Sequence, residues 1–178
     1  MEFLKIWLLS IAAAITYGIL HDQVTAHLCV EYFSIAHAMI LPLSSPTLLA
    51  LEWGVLATWW VGAFLGILLA LAARSGPREK LSTREIIRPL VTLLFCMAMG
   101  ALVAGTAGFF FARAGLLSLH GWLAAEIPEG QHHRFIADWW AHSASYLIGF
   151  VGGIALCAWI YRTRRGVAAA EVGASTSP

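Results

Sequence analysis

Long apolar stretches alternate with short polar connections along this chain. Four of the stretches approach or exceed the roughly 20 residues that cross the hydrocarbon core of a bilayer as a helix, and they cover residues 3–20, 47–73, 89–112 and 135–161. The pattern predicts an all-α integral membrane protein, a four-helix bundle with up-down topology. We expect a single transmembrane domain over residues 1–165 and a disordered tail over residues 166–178, which are small and polar.

Local signals mark several edges of these elements. Ser45 followed by Pro46 is typical of a helix start, and Gly76-Pro77 predicts a break after the second segment. The spacing of Ser82 and Glu85 is that of a capping box, which predicts a short surface helix that Arg88-Pro89 joins to the third segment. Paired glycines four residues apart, such as Gly62 and Gly66, favour close helix contacts within the chain.

The composition agrees with a membrane protein. Apolar residues make up 60% of the chain and charged residues 12%, against about 45–50% and about 25% in soluble domains. This excludes a soluble globule and makes the lipid bilayer the first partner. The net charge of +1 gives no reason to expect nucleic acid as a partner.

The basic residues predict the orientation, because lysine and arginine in short connections are retained on the cytoplasmic side. Five lie between the second and third segments and three follow the fourth, whereas the other two connections hold only Arg113 and Arg134. We therefore expect both termini and the tail to be cytoplasmic, and residues 21–46 and 113–134 to face outward. The first segment lacks a small-x-small cleavage site, so we expect an uncleaved anchor helix.

Sorting the charges by this topology reveals a strong polarity. The cytoplasmic side has nine basic and four acidic residues, a net of +5, and the outer side has two basic and six acidic residues, a net of −4. All seven histidines also fall on the outer side or in the outer third of a helix. The chemistry is therefore expected at the outer face, where a buried ionisable group must be paired, hydrated or bound to metal.

The outer polar residues suggest a transition-metal site. Asp138 and His142 are four positions apart on one helical face, and imidazole together with carboxylate suits copper, iron or zinc. One ion or two could lie between facing helices of a bundle. The candidate ligands are His21, Asp22, Glu31, His37, Asp138 and His142. The alternatives for the Asp138–His142 pair are a buried Asp–His hydrogen bond or a polar contact that clamps two helices together, and a proton-transfer site.

Other polar residues have simpler interpretations. We expect His120, His132 and His133 to be solvated or to face lipid headgroups, and Cys29 to be a small buried residue without a disulfide partner. His27 is four positions before Glu31, which would place both on one face if that segment is helical, and Glu52 adds a carboxylate in the second span. Whether His27, Glu52, His132 or His133 joins the site stays open.

Several functions fit this candidate site. A bound ion could support metal-dependent redox or hydrolytic chemistry, or the ligands could serve in metal handling. Alternatives are a non-catalytic subunit of a larger membrane complex and a haem b protein in which His142 pairs with His21 or His37. A homo-oligomer is compatible with each of these functions.

Two blocks of sequence carry a resemblance to a known family. HDQVTA at residues 21–26 is followed by Glu31-Tyr32-Phe33 and His37, and WAH at residues 140–142 is followed by Ser145, Tyr146 and Gly149. The chain resembles a family of small bacterial multi-pass membrane proteins, which implies the bacterial inner membrane but brings no known activity or cofactor. Members match at His21, Asp22, Glu31, His37 and His142. They tend to have Arg in place of His27 and Pro in place of Ala38, which ranks His27 below the other candidate ligands.

Overall fold

The computed structural model describes residues 1–164, so the expected disordered tail lies outside the described residues. This part of the chain is all-α and contains no strands. The helices are α1 (Glu2–Leu28), α2 (Val30–Ser34), α3 (Pro46–Leu56), α4 (Trp59–Arg74), α5 (Thr83–Arg113), α6 (Gly121–Glu126) and α7 (His132–Thr163), with a 3₁₀ turn at Glu129–Gln131 before α7. Four stretches are long and apolar enough to cross a membrane: Glu2–Leu28, Pro46–Arg74, Thr83–Arg113 and Glu129–Thr163.

The first span extends beyond the predicted end at residue 20. α1 continues through the polar residues to Leu28 and ends at Cys29, whose backbone is extended. Hydropathy marks where a helix leaves lipid, and it does not mark where the backbone hydrogen bonds stop. Since Asp22, Thr25 and Ala26 are buried, this additional part of α1 packs against the protein.

The second span is interrupted, whereas one helix over residues 47–73 was predicted. α3 ends at Leu56 and α4 begins at Trp59. The Thr58 hydroxyl donates a hydrogen bond to the Gly54 carbonyl, which offers that carbonyl a partner outside the helical ladder. At the same point Gly54 lies against Gly18 of α1, where a Cβ on Gly18 would stand 2.5 Å from the Gly54 carbonyl oxygen. The interruption therefore coincides with the closest approach of α1 to this span.

The third span differs from the prediction at its start. The capping box of Ser82 and Glu85 is confirmed, but no separate surface helix forms, because α5 runs without a break from Thr83 through Pro89 to Arg113. Pro89 lies about two turns into the helix, where it removes one backbone hydrogen bond without ending the helix. The start of α3 at Ser45 and Pro46 is also confirmed, as is the break near Gly76, which has a φ of +76°.

The spans pack as two close pairs that meet along α7. α1 packs on α3 and α4, α5 packs on α7, and α4 also contacts α7. Gly62 and Gly66 lie against Ser10 and Ala14 of α1, so this glycine pair serves a contact within the chain. α1 and α5 touch little, and this gap matters for the cavities described below.

Candidate metal centre

A buried polar contact between two side chains joins α1 to α7. Nε2 of His142 lies 3.2 Å from Oδ1 of Asp22, and both side chains are buried. His21, the neighbour of Asp22, completes a group of three side chains. One ligating atom from each lies within 4.8 Å of the other two. The structure thus gathers His21, Asp22 and His142 at one point.

The hydrogen bonds of His142 define which of its nitrogens is free. Nδ1 lies 2.9 Å from the Asp138 carbonyl oxygen, and a carbonyl only accepts, so Nδ1 carries the proton. In a neutral imidazole, Nε2 then presents a lone pair to the Asp22 carboxylate. Two acceptors at 3.2 Å need a proton or a cation between them. With a proton the contact is a hydrogen bond between Asp22 and His142. With a cation it is part of a metal site in which the backbone holds the ring in place, as in many histidine–metal sites.

Two further side chains near this pair carry buried polar atoms without partners. Nε2 of His21 and both carboxylate oxygens of Asp138 make no hydrogen bond within residues 1–164, and Asp138 is fully buried. An unsatisfied buried polar group costs about 1–3 kcal/mol, and more when it is charged. His21 and Asp138 line the same cavity between α1, α5 and α7. Asp138 nevertheless lies outside the group of three side chains whose ligating atoms are within 4.8 Å of one another.

Tyrosine and serine side chains lie directly beneath the three residues. The Tyr17 ring stacks on His21 with a centroid distance of 5.7 Å, and its hydroxyl forms a 2.7 Å hydrogen bond with Ser145. Sequence reasoning missed Tyr17 and Ser145. Their spacing could have revealed them, because Tyr17 is one helical turn before His21 and Ser145 is one turn after His142.

Aromatic side chains of α2 cover the centre. The Tyr32 ring stacks on His142 at 4.5 Å and also contacts Phe135, and Phe33 lies 5.7 Å from His142. Phe33 and Phe135 are buried. Burial raises the pKa of the Tyr32 hydroxyl. The short α2 helix therefore lies between the three polar residues and the end of the protein that carries the connections around residues 35–45 and 114–131.

His37 and Glu31 lie around the centre but outside the group of three. His37 packs between Tyr32 and Trp53, its Nδ1 donates to the Tyr32 carbonyl at 2.7 Å, and burial lowers its pKa. Oε2 of Glu31 accepts a 3.3 Å hydrogen bond from the Cys29 thiol. Burial, the nearby Asp138 and the bond to Glu31 raise the pKa of Cys29 to about 12, so Cys29 is a buried thiol in this structure.

The residues whose role stayed open lie elsewhere. Exposed His27 bonds to the Gln23 carbonyl and to Thr47, and the bend at Cys29 separates it from Glu31. Glu52 accepts a bond from the Leu41 backbone. His132 donates to the Ile127 carbonyl, His133 packs on Phe109, and His120 is exposed beside Ser118. The group of three that could hold an ion includes none of these residues.

The same geometry bears on the haem alternative. The rings of His21 and His142 are in edge contact, with centroids 4.5 Å apart. This distance leaves no space for a porphyrin between the two rings. For the other pair, the Tyr32 ring lies against both His37 and His142, at 5.0 and 4.5 Å. A bis-histidine haem does not fit between His21 and His142 in this arrangement.

Comparisons with protein families, with curated proteins and with solved structures find no match to this chain. What is established is an all-α protein with four helices able to cross a membrane. It also has a His/Asp group, formed by His21, Asp22 and His142, that could hold a metal ion.

Proposed function

We propose that this chain is an integral membrane protein whose His21, Asp22 and His142 bind a transition-metal ion, and that the ion carries out redox or hydrolytic chemistry. Two histidines and one carboxylate are a donor set that suits iron, zinc and copper. Three protein ligands leave at least one coordination position open, as in catalytic rather than structural sites. An ion held there would act as a Lewis acid or a redox centre.

One observation carries this proposal: His21, Asp22 and His142 each bring one ligating atom within 4.8 Å of the other two. Nε2 of His142 faces Oδ1 of Asp22, while Nε2 of His21 and the oxygens of Asp138 have no partner within residues 1–164. Bonds of about 2.1 Å would bring any two ligands within about 4.2 Å of each other. The three ligating atoms already lie within 4.8 Å of one another, so this requires at most a small inward movement of the side chains.

The remaining candidate ligands take supporting roles in this proposal. Asp138 would supply a further ligand or accept a proton beside the bound ion, because it is one helical turn from His142 and lines a cavity with His21. Glu31 and His37 enclose the site from α2 and from the connection after it.

We also propose an up-down four-helix bundle in one domain, in the bacterial inner membrane, with both ends cytoplasmic. The asymmetry of lysine and arginine supports this orientation. It places His21, Asp22 and His142 toward the extracytoplasmic face.

Metal titration of the purified, chelator-treated protein tests the proposal. Co²⁺ is the first probe, because its visible absorption reports nitrogen and oxygen coordination, and Zn²⁺, Fe²⁺ and Cu²⁺ follow. We expect one ion per chain and a Co²⁺ spectrum that is lost in Asp22→Asn and in His142→Ala. His27→Ala is the matched control and should keep the spectrum. Absence of stoichiometric binding of any of the four ions would refute the metal centre and favour a non-catalytic subunit.

A further inference from the structure

A long cavity runs from the candidate metal centre along the middle of the helices. His21, Asp22 and His142 lie at one end of it, and Leu69, Leu156 and Cys157 lie at the other. Its walls come from α1, α4, α5 and α7, and apart from Ser10, Thr58, Ser145 and the hydroxyls of Tyr17 and Tyr146 they are apolar below the centre. One cavity thus connects the polar group with the apolar interior.

The dimensions of this central cavity match a hydrocarbon chain. Along α7 its lining extends from His142 to Cys157, which is roughly 22 Å at about 1.5 Å per residue. This length exceeds the roughly 15 Å that one leaflet contributes to the hydrocarbon thickness, so the cavity is long enough for an acyl chain. The space that the centre of a water molecule can occupy is about 110 Å³, against about 10–15 Å³ for a single water. Spread over the length of the lining, this volume corresponds to a small cross-section, so we describe the central cavity as a narrow tube.

Two glycines of α7, Gly149 and Gly153, form part of the wall of this tube. A Cβ on Gly149 would stand 2.9 Å from the end of the Met97 side chain, and one on Gly153 would stand 3.0 Å from the end of the Leu65 side chain. Neither glycine is therefore required for close backbone packing, unlike Gly62, where a Cβ would stand 2.8 Å from the Ser10 carbonyl oxygen. An apolar cavity stays dry, and an empty one forfeits packing contacts along its whole wall. An apolar occupant would restore those contacts.

A second cavity supplies a route to it from the side. This lateral cavity, of about 500 Å³, lies where α1 and α5 touch little, and exposed Leu20, Val24 and Leu102 line its outer part. Tyr17 and His21 line both cavities. In a chain that spans the membrane, the lateral opening faces lipid, whereas aromatic residues of α2 cover the centre at its outer end.

We infer that the central cavity binds an acyl chain of a membrane lipid and presents the polar group of that lipid to His21, Asp22 and His142. This inference rests on the proposed metal function and names its substrate class: an acyl lipid that enters from the bilayer through the lateral cavity. The shape agrees with small-molecule sites in general, which are mostly apolar with a few polar groups at one point.

Photo-crosslinking tests the inference on the full-length protein in detergent. The probe is hexadecanoic acid with a diazirine at its methyl end, and octanoic acid with the same group is the short probe. We expect the long probe to label the deep end of the cavity, around Gly153 and Cys157, and the short probe to label near Tyr17 and Ser145. Labels scattered over exposed residues of all four spans, with no difference between the probes, would overturn the inference.

Two matched variants sharpen this experiment. Gly153→Leu places a side chain in the tube, and Ala155→Leu places the same side chain on the exposed face of α7. Deep labelling by the long probe should be lost in Gly153→Leu and kept in Ala155→Leu, while labelling by the short probe persists in both. Unchanged deep labelling in Gly153→Leu would contradict the placement of the chain.

Metal content, measured on the same samples, separates this inference from the proposed function. Stoichiometric metal with only scattered labelling overturns the acyl site and leaves the metal centre standing. Deep labelling in a protein that binds no metal supports an acyl site but overturns its role as a substrate site. Deep labelling together with metal binding supports both.

Discussion

Nε2 of His142 lies 3.2 Å from Oδ1 of Asp22, although the two residues are 120 positions apart in the chain. The contact joins α1 to α7, which also meet through the hydrogen bond between Tyr17 and Ser145. Because Nδ1 of His142 is committed to the Asp138 carbonyl, Nε2 is the nitrogen that meets the carboxylate. This relationship is the basis of the metal assignment.

Asp138 provides the first prediction. Its two carboxylate oxygens are buried and unpartnered within residues 1–164, so Asp138→Asn replaces one carboxyl oxygen with an amide group of nearly the same shape without breaking a hydrogen bond of the side chain. We expect the variant to fold with an unchanged or higher melting temperature when metal-free. Its affinity for Zn²⁺ should fall by about 10–100-fold, the usual cost of losing a group that supports a metal site.

Equilibrium dialysis of wild type and Asp138→Asn against buffered Zn²⁺ measures this effect. Ser143→Ala, an exposed position on the same helix, is the control and should bind as wild type does. Equal zinc affinity in Asp138→Asn and wild type would remove Asp138 from the site.

Gly18 tests the packing of α1 on the second span. A Cβ at this position would lie 2.5 Å from the Gly54 carbonyl oxygen and 2.5 Å from Cγ2 of Thr58. Overpacking of this kind costs about 1–3 kcal/mol, which exceeds the gain of about 0.5–1 kcal/mol that alanine brings to a helix interior. Gly18→Ala should therefore lower the free energy of unfolding in an SDS titration.

Gly130→Ala is the control for this substitution, because a Cβ there meets nothing within 4 Å. The free energy of unfolding of this variant should stay near the wild-type value. A Gly18→Ala protein as stable as wild type would mean that α1 and Gly54 do not approach as closely as the structure shows.

Cys29 gives a prediction with a pH dependence. Burial, the nearby Asp138 and the hydrogen bond to Glu31 raise its pKa to about 12, and only the thiolate reacts with alkylating reagents. Raising the pKa stabilises the protonated thiol, so Cys29 should stay unmodified by iodoacetamide at pH 8 in the folded protein. The alkylation rate of Cys29 should still be rising at pH 10, whereas the rate for an ordinary thiol with a pKa near 8.5 approaches a plateau there.

Mass spectrometry of Cys29 after timed alkylation, with SDS-denatured protein as the reference, measures these rates. The denatured sample should be modified readily at pH 8. A plateau near pH 9 in the folded protein would show that the thiol is not enclosed as described.

The proposed orientation can be tested with single cysteines in a background without Cys29, Cys96 and Cys157. A membrane-impermeant maleimide should label Ser44→Cys in intact cells, because the basic residues predict that this connection faces outward. Glu79→Cys, in the connection rich in arginine, should be labelled only after lysis. The opposite pattern would invert the topology and place the candidate centre at the cytoplasmic face.

Much of the framework could be predicted from the sequence, because hydropathy and capping are local properties. The four spans follow from length and composition, and the helix starts at Ser45-Pro46 and Ser82 follow from their capping residues. The extension of α1 to Leu28 and the interruption between Leu56 and Trp59 could not be predicted in this way. They depend on tertiary contacts, namely the packing of buried Asp22 and the approach of Gly18 to Gly54.

The candidate site was harder to predict in detail. Asp138 and His142 lie on one face as their spacing predicts, but the bond between them uses the Asp138 carbonyl and leaves its carboxylate unpaired. The partner of His142 is Asp22, and that choice depends on the rotation of α1 about its axis. A helical spacing fixes which residues share a face, but it does not fix which helix that face meets.

The central claim is that His21, Asp22 and His142 hold a metal ion, and the most direct measurement is the metal content of the protein as purified. Inductively coupled plasma mass spectrometry should be applied to wild type, Asp22→Asn, His142→Ala and the control His27→Ala, all purified in detergent without chelator. We predict close to one iron, zinc or copper ion per chain in wild type and His27→Ala, and its loss in the other two variants. Wild-type protein without stoichiometric metal, or His142→Ala with the same content as wild type, would contradict the claim.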